Sequence, residues 1–352
     1  MKKLLVLATA AAAVLAVHDA SEQQVVKVGW CAKTVTSAAS PYAVANKLGW
    51  YAADGIKVEL SPLPGSTDCV KLVATGDLMF SVPSVEPLAI IHPHGVKAKV
   101  FYTAYQGNIY GIDVPADSPV KTFKDLKGKK IGVQSMGSAG VIIARAVAAT
   151  NGLNPDKDVS IVVIGESAQA AAMVRSKQVD ALSLYDTQYA LIENTGVKLR
   201  ALDVPTGRFP SNGFVALEST LKDKRAIAVA VAKGYARGTI FAMANPEAAI
   251  RMMYEVYPQT RSTGKDEATA IKDDILTMNA RAANWKLEKG GVKKWGESNM
   301  ANYEAYIDFM LKEGVIKQKV AAGDIVTNDL IDDINKFDPA KIMADAKAYK
   351  AK

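Results

Sequence analysis

From Val25 onward, short apolar runs alternate with longer segments whose apolar residues recur every three or four positions. The runs VVKVGW (25–30), IKVELSPL (56–63), MFSV (79–82) and AKVFYTAY (98–105) predict strands. Between them, PYAVANKLGWYAADG (41–55) predicts a helix that stops near Gly49. GSTDCVKLVATGDL (65–78) predicts another, with Ser66 or Thr67 as candidate N-cap, and a third runs from Glu86 to about His92. NIYGIDVPADSP (108–119) then carries the chain out of this first cycle, and TFKDLKGKK (122–130) opens a second. There, GKKIGVQSMGSAGVIIARAVAATNGL (128–153) reads as strand, small-residue loop and helix. VSIVVIG (159–165), a helix from Ala168 to about Lys177, ALSLY (181–185), a helix from Thr187 and KLRALDVP (198–205) follow. NGFVALEST (212–220) predicts a return strand, and from Lys222 the pattern is mostly helical.

A βα rhythm of this kind argues for parallel sheets with crossover helices. Two similar cycles and a return segment predict an α/β protein of two doubly wound lobes joined by a two-strand hinge, a clamshell with a helical C-terminal extension. The expected division is residues 21–110 with 212–352 in lobe 1 and 111–211 in lobe 2. The tail shows no strand pairings and is expected to pack back on the first lobe. Open α/β sheets bind ligands beyond the carboxyl ends of their strands, so facing lobes would place their loops in one cleft.

Hydrophobic residues make up 49% of the 352 and charged ones 22%, which excludes a disordered chain and supports a sizeable core. Residues 1–20, MKKLLVLATAAAAVLAVHDA, join two lysines to an apolar run and a polar junction, the form of a secretory signal with cleavage expected near Ala16 or Ala20. No later run reads as long or apolar enough to span a bilayer, so an exported protein, periplasmic in a bacterium with two membranes, is expected. The net charge of +7 is scattered or terminal, as in KDLKGKK and DAKAYKAK, without an arginine stripe interleaved with aromatics, so no nucleic-acid partner is expected. Of the two cysteines, Cys31 and Cys69, export permits a disulfide. Two small buried thiols are the alternative, because a 38-residue spacing carries no geometry.

The order of KLGWYAADGIKVEL (47–60), GSTDCVKLVATGDLMFSV (65–82), FKDLKGKKIGVQSMGSAGVIIARAVAATNGLNPDKDVSIVVI (123–164) and QVDALSLYDTQYA (178–190) resembles periplasmic solute-binding proteins of ABC importers. Within these it is similar to the nitrate, sulfonate and taurine group, whose relatives include receptors for the thiamine pyrimidine precursor. The resemblance covers about residues 25–250. It implies a type II periplasmic-binding-protein clamshell that captures a small-molecule solute and hands it to a membrane ABC permease, acting as a monomer without a cofactor. The alternative it carries is an enzyme of the thiamine-pyrimidine synthesis type on the same fold.

The predicted topology brings Trp30, Lys33, Thr34, Ser66, Glu86, Tyr105, Ser135, Gly137, Ser138, Ala139, Glu166, Tyr185 and Asp186 to the cleft as candidate ligand-binding residues. The loop Ser135 to Ala139 leads into a helix N-terminus, whose amides and Ser138 suit an anionic or strongly polar group. It has no P-loop lysine. Trp30, Tyr105 and Tyr185 offer flat faces, and Glu86, Glu166 and Asp186 offer acceptors, which suits an aromatic or heterocyclic solute with N–H donors as well as a sulfonate-type compound. His92 and His94 flank Pro93 in a turn, and no metal site or catalytic constellation is expected.

Overall fold

The computed structural model describes residues 23–202 and 209–350. The expected signal segment and part of KLRALDVP lie outside these residues. Among the described residues, ten strands form two five-stranded sheets. The first has the order β2-β1-β3-β10-β4, from β1 (Gln24–Trp30), β2 (Ile56–Pro62), β3 (Phe80–Ser81), β4 (Ala98–Thr103) and β10 (Gly213–Leu217). The second has the order β7-β6-β8-β5-β9, from β5 (Tyr110–Pro115), β6 (Lys129–Val133), β7 (Val159–Val163), β8 (Ala181–Tyr185) and β9 (Leu199–Leu202).

The two orders are the same arrangement used twice. β1 is parallel to β2 and β3, as β6 is to β7 and β8. The fourth position in each sheet is taken by the strand that has just crossed from the other sheet, β10 in the first and β5 in the second, and both run antiparallel to their neighbours. NIYGIDVPADSP is thus more than an exit segment, since its centre is a strand of the second sheet. Side chains alternate across a strand, so each sheet feeds a core on both faces. Phe214 and Ala216 of β10 join the cluster of Val26, Val28, Tyr42 and Tyr235, whereas Val215 between them joins Val70, Leu88, Tyr303 and Ile307.

The helix predicted from residue 41 stops near Gly49 as expected, where the left-handed φ of 71° separates Ser40–Lys47 from the short Trp50–Ala53. Two local departures from the periodicity have physical causes. The helix Ser66–Ala74 starts from Gly65 in extended backbone, with no side-chain cap from Ser66 or Thr67. The helix Arg225–Ala244 is, by length and composition, apolar enough to cross a membrane, contrary to the reading of the pattern, but 67% of its most apolar window is buried inside the protein. It is a core helix, packed on Ser40–Lys47.

The C-terminal extension also does more than return to the first sheet. Val326 makes a parallel bridge to Val100, a strand pairing the pattern of the tail did not suggest, and the helix Met300–Lys312 covers one face of that sheet. The helix Glu267–Ala282 instead packs on the helix Asp186–Glu193 of the second lobe, where the Asn194 amide donates to the Asp273 carbonyl at 3.1 Å.

One carboxyl on β5 is placed against its own charge. Burial pushes the Asp113 carboxyl up from 3.8 to about 6, and Glu193 adds to the shift. The folded state therefore keeps this proton to higher pH than the unfolded chain, so stability falls as pH rises from about 4 to about 6. Asp113→Asn is expected to stabilise the protein by about 1–2 kcal/mol at pH 7 to 8 and to lose that gain at pH 4, read from urea unfolding at both pH values. Equal stability of the two proteins at neutral pH would contradict it.

Candidate functional site

The carboxyl ends of β1, β3 and β8 and both crossing segments meet around a cavity of about 30 Å³. Trp30, Cys31 and Ala32 reach it from the end of β1, Val82 from the end of β3, and Tyr185 from the end of β8. Tyr105, Ile109 and Tyr110 come from the first crossing and Asn212 from the second, and Arg281 enters from the C-terminal extension. The crossings are tied together, since the Ala104 and Tyr105 amides both donate to the Asn212 carbonyl at 3.0 Å and the Ser211 amide donates back to the Tyr105 carbonyl. The cavity walls are mainly flat rings. Tyr110 and Tyr185 meet edge to face at 5.8 Å, and the Tyr185 hydroxyl is buried without a protein partner. The indole N–H of Trp30 donates to the Thr34 carbonyl at 2.9 Å, which curls the loop after β1 over the ring.

Cys31 and Cys69 form a disulfide, resolving the alternatives left by the sequence, with their Cα atoms 5.8 Å apart. It ties the loop that carries Trp30 to the helix Ser66–Ala74. Replacing both cysteines by serine should cost about 2–4 kcal/mol in guanidinium unfolding, and a reductant should reproduce the loss in the unmodified protein. An unchanged midpoint would show that packing alone holds the loop.

Of the lining residues absent from the sequence-derived candidates, among them Val82, Tyr110 and Asn212, Arg281 is the charged one. The residue is 3% exposed, and its guanidinium lies 4.1 Å above the Tyr105 ring. Its Nε and Nη2 donate to the Asp186 carboxylate at 2.7 to 3.0 Å. Burial works against this charge, but Asp186 and Tyr105 outweigh it and hold the guanidinium firmly protonated. Burial likewise pushes the Tyr105 hydroxyl up, with Arg281 opposing. A local signal did exist, because Ala270, Asp274, Met278 and Arg281 are all buried on one stripe of the helix Glu267–Ala282, and charged residues at apolar-stripe spacing ask for partners. What the stripe could not supply was Asp186, 95 residues away. Because removal of one partner strands a buried charge, Asp186→Ala should cost about 3–5 kcal/mol, and a second change, Arg281→Met, should recover most of it. A cost below about 1 kcal/mol for the single change would mark the pair as effectively solvated.

The remaining candidates fall into a seam between the lobes, beside the cavity. The Lys33 and Thr34 amides each donate to the Glu166 carboxylate at 3.0 Å, and the Gln134 side-chain amide donates to the same group. Glu166 is aimed across the seam by left-handed backbone on both sides, at Gly165 (φ 72°) and at Ser167 (φ 51°), an uncommon conformation for a serine. The Ser135 hydroxyl donates to the Pro64 carbonyl at 2.7 Å, and the Thr67 amide to the Gly137 carbonyl at 3.1 Å. Gly65 and Gly137 permit this approach, since a Cβ on the first would strike the Gly137 carbonyl and one on the second the Asp68 carboxylate. Ser138 caps the helix Ala139–Thr150 by accepting from the Gly140 amide at 3.1 Å, and Ala139 is buried behind it. The buried Ser66 hydroxyl accepts from the Ser84 amide at 3.1 Å. Asp186 is occupied by Arg281. Glu86 lines a second cavity, next to the first.

Two α/β lobes with duplicated strand order, closing on an aromatic-walled cavity at their hinge, define the class of two-lobed clamshell binding folds. The chain belongs to the family described as NMT1/THI5 like, which matches residues 36–249. It is 23% identical over 296 residues to the riboflavin-binding protein RibY of Chloroflexus aurantiacus, covering 83% of this chain and 82% of that one. Among solved structures, the alkanesulfonate-binding protein SsuA from Xanthomonas axonopodis pv. citri, bound to MOPS, superposes with a TM-score of 0.63 at 18% identity, over 87% of this chain and 99% of that one. The periplasmic nitrate-binding protein NrtA from Synechocystis gives a TM-score of 0.62 at 16% identity, over 94% and 99%.

Proposed function

We propose that this protein is a periplasmic solute receptor of an ABC importer, exported by its N-terminal signal and working as a monomer. In this reading residues 21–110 with 212–352 and residues 111–211 move as two lobes, close on a small organic molecule and deliver it to a membrane permease. The observation that carries it is the cavity itself, walled by rings from both lobes at the ends of both sheets. The relatives support the class, since their names describe proteins that bind riboflavin, alkanesulfonate and nitrate.

An aromatic or heterocyclic solute suits the walls better than a bare oxyanion. Arg281, the cation at the cavity, is spent on Asp186, and the Ser138 and Gly140 amides donate within the loop and its helix cap. A flat ring between Trp30 and Tyr185 would bury apolar area and give the Tyr185 hydroxyl a partner. Binding without chemistry fits the same residues, because both cysteines are bonded to each other and His92 and His94 sit in the 3-10 turn after the helix Val85–Ile91, away from the cavity lining. The lobes must part for entry, since about 30 Å³ admits only water-sized groups.

A thermal-shift screen of the mature protein against pyrimidines, flavins, aromatic acids, alkanesulfonates, taurine and nitrate tests the reading. A ring compound at about a hundred times its Kd should add about 2.7 kcal/mol of stability, and Trp30→Ala and Tyr185→Ala should each weaken it about tenfold or more. A response confined to sulfonates or nitrate, or indifferent to both substitutions, would refute the aromatic cleft.

A further inference from the structure

Beside the first cavity lies a second, also of about 30 Å³, on the seam between the helices Ala139–Thr150 and Met300–Lys312. Its walls are Ile142, Ile143 and Val147 on one side and the rings of Phe209, Tyr306 and Phe309 on the other. The rings are stacked, Phe209 on Tyr306 at 4.7 Å and 26°. Into this apolar chamber the helix Val85–Ile91 places one carboxyl group, Glu86, only 3% exposed. Its Oε1 accepts from the Tyr306 hydroxyl, and its Oε2 is buried with no partner. Among the described residues, no lysine, arginine or histidine lines the chamber.

An unpartnered buried carboxyl oxygen is costly, so its position implies a complement. Of the three acidic residues that the cleft gathers, Glu166 is taken by the Lys33 and Thr34 amides and Asp186 by Arg281. Glu86 keeps an oxygen free inside a cavity, whereas Asp68, whose Oδ2 is also unpartnered, sits beside Gly137 on the seam and lines neither cavity. The chamber adjoins the first cavity along residues 108–110, since Asn108 lines the chamber, Ile109 and Tyr110 line the first cavity, and the Asn108 side-chain amide donates to the Tyr110 carbonyl at 3.0 Å.

Resting on the receptor reading above, we propose that this chamber is a second subsite of the cleft, which takes a protonated amine carried on an apolar arm of the solute. The ring of the solute occupies the first cavity, the arm passes Tyr110, and the ammonium group donates to Oε2 of Glu86. The chamber walls, one from each side of the seam, exclude water from that contact and so select against an alcohol or a sulfonate at the same place.

Calorimetric titration of the full mature chain with phenylalkylamines of increasing length, beside the matching alcohols and phenylalkanesulfonates, tests this. The amines should bind more tightly than either analogue. Glu86→Gln, whose side-chain oxygen still accepts from Tyr306, should weaken amine binding about 30-fold or more while the Tm of the free protein stays level or rises. Amines that bind no better than alcohols, or equally well to Glu86→Gln, would overturn the proposal. A fall of many degrees in Tm with amine affinity intact would make Glu86 a structural partner of Tyr306 and overturn it too. If a neutral or anionic ring compound binds in a Trp30-dependent way without amine preference, this subsite fails and the receptor reading stands. If no ring compound of any charge binds, both fail.

Discussion

A charge enclosed where lobes meet cannot be left alone, and the Arg281–Asp186 pair is the contact on which the site is assembled. Asp186 follows Tyr185 at the end of β8, its amide donates to the Ile109 carbonyl of the first crossing at 2.9 Å, and its carboxylate receives Arg281 and the Asn284 amide from the extension. Three parts of the chain distant in sequence are thereby joined at one residue, the first crossing through its amide and the extension through its carboxylate. The guanidinium in turn carries the Tyr105 ring, and the Gln106 amide donates to the Asn284 carbonyl at 2.7 Å, so the same node orients the cavity wall and the hinge.

Contacts between the lobes are divided by chemistry. Around the small-residue loop they are hydrogen bonds to backbone, as Glu166 receives the Lys33 and Thr34 amides and Gly137 receives the Thr67 amide. Such groups are equally well served by water, so these bonds add little net free energy to the contact between the lobes. At the cavity the contacts are rings and a neutralised ion pair, which gain from a flat apolar partner and little from solvent. The small-residue loop before the helix Ala139–Thr150 belongs to the seam. Gly65, facing it, lets the two backbones touch at the Gly137 carbonyl.

Membership of the family and the shared fold leave the solute open, because relatives of one architecture carry names that describe different ligands. The residues that differ in consequence are few: the rings at Trp30, Tyr105, Tyr110 and Tyr185, and the acceptor at Glu86. The four rings belong to the large core of the first sheet as well as to the cavity wall, so the same side chains serve packing and the cavity.

The alternation of strand runs and helical segments was enough to define two α/β cycles, the return strand and the loops that meet at the hinge, because period-two and period-3.6 burial are local properties of the chain. It also brought Trp30, Tyr105 and Tyr185 forward, since residues at strand ends follow directly from strand boundaries. Tertiary structure alone decided which of the gathered polar groups remain available. Glu86, Glu166 and Asp186 are equivalent in sequence. They separate only when Tyr306, the Lys33 and Thr34 amides and Arg281 arrive from 220, more than 130 and 95 residues away. The pairing of Cys31 with Cys69 and the reach of the extension onto the second lobe were decided in the same way. Hydrogen bonds and ion pairs depend on distances of a few ångström between remote segments, and no local pattern records those.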